Sequence, residues 1–158
     1  MDIVTLDQGD HHIARTVLEA LPDWFGRPSA RDGYIRRASE LPMIAAIQST
    51  EPIGFLSLDQ LTERSCEIHV MGVRPELRRN GYGASLVRAA DSWCMARGID
   101  RLTVKTVAST VPDQHYVETR AFYRAMGFQL AEVLPDEWAP EIPCAVYARS
   151  TTEKRPRI

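Results

Sequence analysis

The sequence predicts an α+β fold in which one mixed sheet carries helices on both faces. Apolar periodicity gives the element order β, α, α, β, β, β, α, β, α, β, β along the chain. Three successive strands in the middle are joined by short polar turns, which is typical of an antiparallel meander. A helix and a further strand follow the meander, and such a crossover makes the two strands around the helix parallel.

The first quarter of the chain is predicted to form a short strand and two helices. Met1 to Leu6 is the candidate strand, and Asp10 is a plausible N-cap for the first helix, which Pro22 ends. The apolar residues of this helix recur at helical spacing: Ile13, Val17, Leu18 and Leu21. Ser29 and Asp32 resemble a capping box, which predicts that the second helix begins at Ser29.

The remaining elements follow from alternating strand patterns and from glycines at helix ends. The meander strands read MIAAIQS, GFLSLDQ and CEIHVMGV. A helix from about Tyr82 to Arg97 ends before Gly98, and the next strand is Arg101 to Val107. The last helix, VETRAFYRAM, is closed by Gly127. Two final strands, around Phe128–Val133 and Cys144–Ala148, are expected to flank a loop that contains Trp138.

Length and composition limit the classes of function. The chain has 158 residues and suits one domain, residues 1–150, followed by a short polar tail at 151–158. The net charge of −2 gives no electrostatic footprint for nucleic acid or for an anionic membrane. No apolar run could cross a bilayer, and the acidic N-terminus is unlike a signal peptide, so we expect a cytoplasmic protein.

The cysteines predict neither a disulfide framework nor a metal site. The sequence holds an odd number of them, Cys66, Cys94 and Cys144, far apart and without a CxxC pair. This pattern fits reduced thiols. Cys94, on the apolar face of its predicted helix, is interpreted as a packing residue.

A glycine-rich segment, RRNGYGASL from Arg78 to Leu86, lies between a predicted strand and a predicted helix. A helix N-terminus leaves N–H groups unpaired and carries partial positive charge, so a tight loop before it can hold a phosphate. The segment lacks the Lys-Ser/Thr ending of a P-loop and the third glycine of a dinucleotide fingerprint. Taken alone, it is also compatible with a plain turn that carries solvated arginines.

The segment RRNGYG matches the Arg/Gln-x-x-Gly-x-Gly/Ala signature of the GNAT superfamily of N-acetyltransferases. The lead-in VRPELRR and the later AFYRAMGF, Ala121 to Phe128, resemble two further features of that family. The chain is therefore identified as a GNAT member over nearly its whole length. The resemblance implies a mostly antiparallel sheet with a splayed parallel central pair, and acetyl-CoA as acetyl donor without a metal. Members often form dimers, so a homodimer is left open.

The resemblance also implies where the donor binds. The pyrophosphate would lie on the backbone amides of Arg79 to Ala84, and the pantetheine arm would pair with the strand that ends at Met71, Gly72 and Val73. Gly72 is expected to help the chain leave regular pairing. The loop residues assigned to the donor are Arg78, Arg79, Asn80, Gly81, Tyr82, Gly83 and Ala84.

Acetyl transfer needs a neutral amine, and only about one alkyl amine in a thousand is neutral at pH 7. Glu67, His69 and Met71 share one face of their predicted strand. Glu67 lies where many members carry a glutamate base and is the first candidate, acting through water, with His69 second. The alternative is that Glu67 is solvated and His69 only packs. The resemblance makes the Met71 N–H the donor to the thioester oxygen and Tyr123 the acid for the leaving thiolate.

One position departs from the family pattern. Many members have an asparagine seven residues before the tyrosine, where its side chain binds the pantetheine arm. Tyr116 stands there in this chain. The contact that the asparagine makes with the pantetheine arm is expected to come from Tyr116, His115 or Thr119, or to be missing.

The resemblance places the acceptor site between the first loop and the last strand loop. The aromatic residues that it would use are Trp24, Phe25, Tyr34 and Trp138. Nearby acids, Asp136, Glu137 and Glu141, would favour a cationic amine, and small amines, aminoglycosides, amino acids and peptide N-termini all remain open. The rival from another class is a non-catalytic acyl-CoA-binding sensor, which would need neither Glu67 nor Tyr123. A nucleotide-phosphate binder is disfavoured because the Walker lysine is missing.

Overall fold

The predicted order of helices and strands is confirmed. The computed structural model describes residues 1–111, 113–139 and 141–151. The helices are α1 His11–Glu19, α2 Pro28–Glu40, α3 Tyr82–Met95 and α4 Gln114–Ala125. The strands are β1 Asp2–Leu6, β2 Met43–Gln48, β3 Glu51–Gln60, β4 Ser65–Val73, β5 Arg101–Val107, β6 Gln129–Ala139 and β7 Ile142–Ser150. Within the described ranges, no helix has the length and apolarity needed to span a membrane.

The seven strands form one mixed sheet in the order β1-β2-β3-β4-β5-β7-β6. Strands β4 and β5 are its one parallel pair. Antiparallel registers join β1 to β2, β2 to β3, β5 to β7 and β6 to β7. The predicted α+β class, with a mostly antiparallel sheet and one parallel pair, is therefore confirmed.

The chain divides into two compact units. The first unit comprises Met1–Asp59 and Ile68–Ala90, and the second comprises Gln60–Glu67 and the described residues from Asp91 onward. Strands β3 and β4 and helix α3 each contain a boundary and contribute to both units. Thr151, at the end of the described chain, is buried, and its hydroxyl donates to the Ile99 carbonyl at 2.6 Å. The other residues of the predicted polar tail, 152–158, lie outside the described residues.

Helix α1 anchors the core of the first unit. Asp10 is its N-cap, as predicted, and the carboxylate accepts a bond from the Ile13 N–H at 2.9 Å. A Cβ on Gly72 would lie 2.7 Å from Leu21 Cδ1 of the segment that follows α1. Gly72 lies within β4, and the close approach of Leu21 gives a packing reason for its missing side chain. Its expected part in leaving regular pairing stays a prediction. The buried members of this core are Ala14, Val17, Leu18, Leu21, Ile35, Ala38, Met43, Ala45, Phe55 and Val70.

The predicted capping box of α2 is wrong. The helix begins at Pro28, its N-cap is Arg27, and no side chain caps it. Ser29 and Asp32 lie inside the helix instead of opening it. Proline is favoured in the first helical position, because its fixed φ suits the helix and its missing N–H would have had no partner there.

The predicted loop around Trp138 is also wrong, because β6 continues to Ala139 and β7 begins at Ile142. Strand β6 is last in the strand order, and Pro135 lies in the register shift between Leu134 and Ala139, and both edge strands and bulges tolerate proline. The β6–β7 register shifts between Leu134 and Ala139, which indicates a bulge. The proline and the register shift interrupt the alternating pattern of a strand, so the sequence does not predict that β6 continues to Ala139.

Candidate functional site

The glycine loop of the first unit is a tight turn between β4 and α3. A 3₁₀ turn, Pro75–Leu77, follows β4. Arg79 and Gly81 then adopt positive φ values of 64° and 79°. The Asn80 side-chain amide donates to the carbonyls of Leu77 and Arg78 at 3.0 and 3.1 Å. These bonds fix the turn from inside.

The turn leads directly into the first turn of α3. Ser85 donates its N–H to the Gly81 carbonyl at 3.0 Å. The preceding N–H groups, of Tyr82, Gly83 and Ala84, lie in the first helical turn and have no intrahelical acceptor. A Cβ on Gly81 would meet no described atom within 4 Å. The loop thus combines N–H groups that the helix itself does not pair, partial positive charge and space beside Gly81, which suits a phosphate group.

Arg78 of this loop contacts an aromatic residue predicted to serve the acceptor. Its guanidinium carbon Cζ lies 4.1 Å from the centroid of the Trp24 ring. A cation–π contact of this kind contributes about 0.5–1 kcal/mol where it is solvent-exposed. The first unit therefore brings together one residue assigned to the donor and one assigned to the acceptor.

Three further predicted site residues form an aromatic chain in the first unit. The rings of Phe25 and Tyr34 meet edge to face with centroids 5.5 Å apart. The Tyr34 ring lies 5.6 Å from the His69 ring, at an interplanar angle of 48°. Both aromatics are partly buried against the core of this unit. His69, the second candidate base, is therefore packed against Tyr34.

Glu67, the first candidate base, lies in a charged cluster of the second unit. Its Oε2 is 3.6 Å from Lys105 Nζ, and the same Nζ donates to Glu137 Oε1 at 3.1 Å. The Glu67 side chain is only 12% exposed. The alternative given above was that Glu67 is a solvated residue at the end of its strand. A side chain that is mostly buried does not fit that alternative.

Lys105 stays protonated in this cluster. Partial burial by itself would lower its pKa, but the hydrogen bond to Glu137 and the charges of Glu67 and Glu137 outweigh burial, and the pKa is raised. Lys105, which contacts the candidate base, was not among the residues predicted from the sequence. A signal was available, since it is the one charged residue within Leu102–Val107 of β5.

Tyr123, the predicted acid, is buried on α4 in the second unit. It is 7% exposed, and its ring lies 5.6 Å from the Phe122 ring and 5.7 Å from the Phe128 ring. Burial raises the pKa of Tyr123 above its ordinary value. The phenol is therefore a weaker acid than the ordinary pKa of about 10 suggests.

Arg120 is a second residue that the sequence analysis missed. It lies one turn before Tyr123 on α4 and is 4% exposed. Its Nη1 donates to the carbonyl of Val107 at 2.6 Å and to that of Ala108 at 3.3 Å. Arg120 thus ties the helix that carries Tyr123 to the end of β5. The available signal was its i, i+3 spacing from Tyr123, which places both on one helix face.

The remaining predicted site residues lie on regular elements. Helix α4 begins at Gln114, three residues before its predicted start, with Asp113 as N-cap. Tyr116 and His115 are consequently in its first turn, and the Thr119 hydroxyl donates to the His115 carbonyl at 3.0 Å. Met71 and Val73 are partly buried at the end of β4, and Trp138 is 42% exposed on β6. Their roles toward donor and acceptor stay predictions.

Known proteins resemble the chain in sequence profile and in fold. The profile of the acetyltransferase (GNAT) family matches residues 11–128. No curated protein matches the chain significantly. The structure of a GNAT-family protein from Desulfovibrio desulfuricans superposes with a TM-score of 0.79 at 18% identity, over 96% of this chain and 100% of that one.

Two other solved structures that resemble it contain the coenzyme. An aminoglycoside 6'-N-acetyltransferase complexed with coenzyme A has a TM-score of 0.73 at 19% identity, over 98% of this chain and 99% of that one. A GNAT acetyltransferase from Elizabethkingia anophelis with acetyl-CoA bound has a TM-score of 0.70 at 16% identity, over 94% and 97%. At these identities the likeness concerns the fold.

Proposed function

The chain belongs to the GNAT family of acetyltransferases, and from this premise we propose that it transfers an acetyl group from acetyl-CoA to a primary amine. The observation that carries the proposal is the glycine loop. Arg79 and Gly81 turn with positive φ directly before α3, and the space above Gly81 is open. The donors of the first helical turn would bind the pyrophosphate, and Arg78 would add charge.

We propose direct attack of the amine on the thioester, with both substrates bound to the enzyme at the same time. The amine nitrogen attacks the thioester carbonyl carbon, the C–N bond forms and the C–S bond breaks. Glu67 would take the amine proton through a water molecule, with His69 as the second candidate. The Met71 N–H would donate to the oxygen on which negative charge develops, a contribution of about 3 kcal/mol for one such donor in acyl transfer. Tyr123 would return a proton to the thiolate.

The aromatic residues of the first unit support an amine acceptor. Phe25 and Tyr34 form a packed pair, and Tyr34 contacts His69, which shares β4 with Glu67. Aromatic faces attract cations, so a protonated amine could be collected there before it loses its proton. On this basis we assign Phe25 and Tyr34 to acceptor binding. The assignment of Trp24 and Trp138 rests on the resemblance to the family alone.

The test is release of free thiol from acetyl-CoA over a panel of primary amines, amino acids, peptides and aminoglycosides. Turnover on one class identifies the acceptor. The control variant Glu67→Gln keeps the shape of the side chain and removes the base, so its activity should fall or require higher pH. Tight acetyl-CoA binding by calorimetry without turnover on any acceptor would instead support the non-catalytic sensor.

A further inference from the structure

Lys105 lies between two carboxylates that come from two other strands of the second unit. Glu67 belongs to β4 and Glu137 to β6, whereas Lys105 belongs to β5. The side-chain exposures are 12% for Glu67, 32% for Lys105 and 40% for Glu137. Exposure to solvent therefore increases from the Glu67 carboxylate through the Lys105 ammonium to the Glu137 carboxylate.

The geometry gives the two carboxylates different relations to the lysine. At 3.1 Å, Glu137 Oε1 accepts a hydrogen bond from Nζ, whereas Glu67 Oε2 at 3.6 Å is outside hydrogen-bond distance and is held by charge attraction. Glu137 lies inside the register shift of β6 between Leu134 and Ala139. A bulge redirects side chains, and this one allows Glu137 to reach Lys105 across β7.

A buried carboxyl without a cation near it favours the neutral form, and a neutral carboxyl cannot accept a proton. We propose that Lys105 is a positioning residue that keeps the Glu67 carboxylate charged and oriented for proton uptake, while Glu137 holds Lys105 in place. This inference rests on the proposed role of Glu67 as base. It adds to that role a residue that favours the charged form of the base.

The other titratable group beside Lys105 does not compete for this role. Cys144 on β7 lies opposite Val107 of β5 and Leu134 of β6. Burial raises the pKa of the Cys144 thiol to about 11, against a smaller lowering by Lys105, so the thiol is neutral at physiological pH. Among the described residues, the carboxylates that act on Lys105 are thus those of Glu67 and Glu137.

The first experiment measures the charge of Glu67 without turnover. The protein is labelled with ¹³C at the glutamate side-chain carboxyls, the Glu67 signal is assigned by its loss in Glu67→Gln, and its chemical shift is followed with pH by NMR. In Lys105→Met the titration midpoint of Glu67 should rise by about one pH unit or more, since an opposite charge at this distance has an effect of that size. An unchanged midpoint in Lys105→Met overturns the inference.

Two variants control this titration. Lys105→Arg keeps the positive charge and should leave the Glu67 midpoint near that of the unmodified protein. Arg101→Met removes an exposed cation from the same strand, about 13 Å away along β5, where salt screens most of its effect. A shift in Arg101→Met as large as that in Lys105→Met would also overturn the inference, because net charge alone would then explain the result.

The second experiment follows kcat/KM against pH with an amine that the unmodified protein accepts. The acidic limb should move to higher pH in Lys105→Met and return in Lys105→Arg. A fall in kcat/KM without movement of the limb would mean that Lys105 is structural. If Glu67→Gln stays fully active, the proposed base fails, whereas the NMR titration still decides whether Lys105 controls the charge of Glu67.

Discussion

The guanidinium of Arg78 lies over the indole ring of Trp24, with Cζ 4.1 Å from the ring centroid. Arg78 stands at the first position of the glycine-loop signature, and Trp24 lies after α1. The contact positions the arginine side chain against Trp24. A group that the sequence assigns to the acceptor thus orients a group that it assigns to the donor.

Trp24→Ala should weaken binding of coenzyme A about two- to five-fold, because the lost cation–π contact of about 0.5–1 kcal/mol leaves Arg78 less ordered. Isothermal calorimetry with coenzyme A measures this change. Arg78→Met removes the charge itself and should weaken binding further. Equal affinity in Trp24→Ala and the unmodified protein, with reduced affinity in Arg78→Met, would show that Arg78 needs no support from Trp24.

Gly81→Ala should weaken binding of coenzyme A, because its Cβ would enter the open space in which the pyrophosphate is proposed to lie. Gly98→Ala is a matched control, since Gly98 also has a positive φ, 72°, and a Cβ there also meets no described atom within 4 Å. Each alanine should cost about 1–2 kcal/mol of stability from left-handed strain. Thermal unfolding checks the common cost, and calorimetry should find weaker binding for Gly81→Ala alone.

Tyr123→Phe should lower turnover about 10²-fold at saturating acetyl-CoA, because the leaving thiolate loses its proton donor. Affinity for acetyl-CoA should change little. Since burial raises the pKa of Tyr123, the phenol stays neutral through the working range, and the alkaline limb of kcat/KM should be the same in both proteins. Unaltered turnover in Tyr123→Phe would remove the phenol from the mechanism.

Arg120→Met should destabilise the protein by about 1.5–3 kcal/mol, the usual range for hydrogen bonds made by a charged group. The substitution removes the bonds to Val107 and Ala108 that tie α4 to the end of β5. Urea unfolding followed by circular dichroism measures the loss. Arg120→Lys retains the charge and should recover part of it, and a loss below about 0.5 kcal/mol in Arg120→Met would contradict the anchoring role.

The buried thiol of Cys144 should make stability fall at alkaline pH. Its pKa is about 11 in the folded protein, raised chiefly by burial from an ordinary value of 9.0. Between these values the unfolded chain binds fewer protons than the folded one, so the free energy of unfolding decreases as pH rises. Urea midpoints at pH 8 and pH 10.5 should differ less in Cys144→Ala than in the unmodified protein, and equal differences would contradict this assignment.

Local features of the sequence determined the order of the elements, the Asp10 cap, the positive φ of Gly81, Gly98 and Gly127, and the glycine loop. Each depends on residues a few positions apart, where side-chain spacing and backbone freedom act directly. The start of α2 was predicted wrongly from a local pattern. The Ser29 hydroxyl suggested a cap, whereas the fixed φ of Pro28 places the first helical residue one position earlier.

Only the tertiary structure decided what surrounds the proposed base. Lys105 lies between Glu67 and Glu137 because strand order and a bulge in β6 bring three strands to one place, and no local pattern encodes that register. The same holds for Trp138, which lies in β6 between the paired residues Leu134 and Ala139, a continuation of the strand that the sequence pattern does not indicate. The close packing of Leu21 against Gly72 is likewise visible only in the folded chain. Burial and charge at this site come from contacts between distant residues, and these form only when the chain has folded.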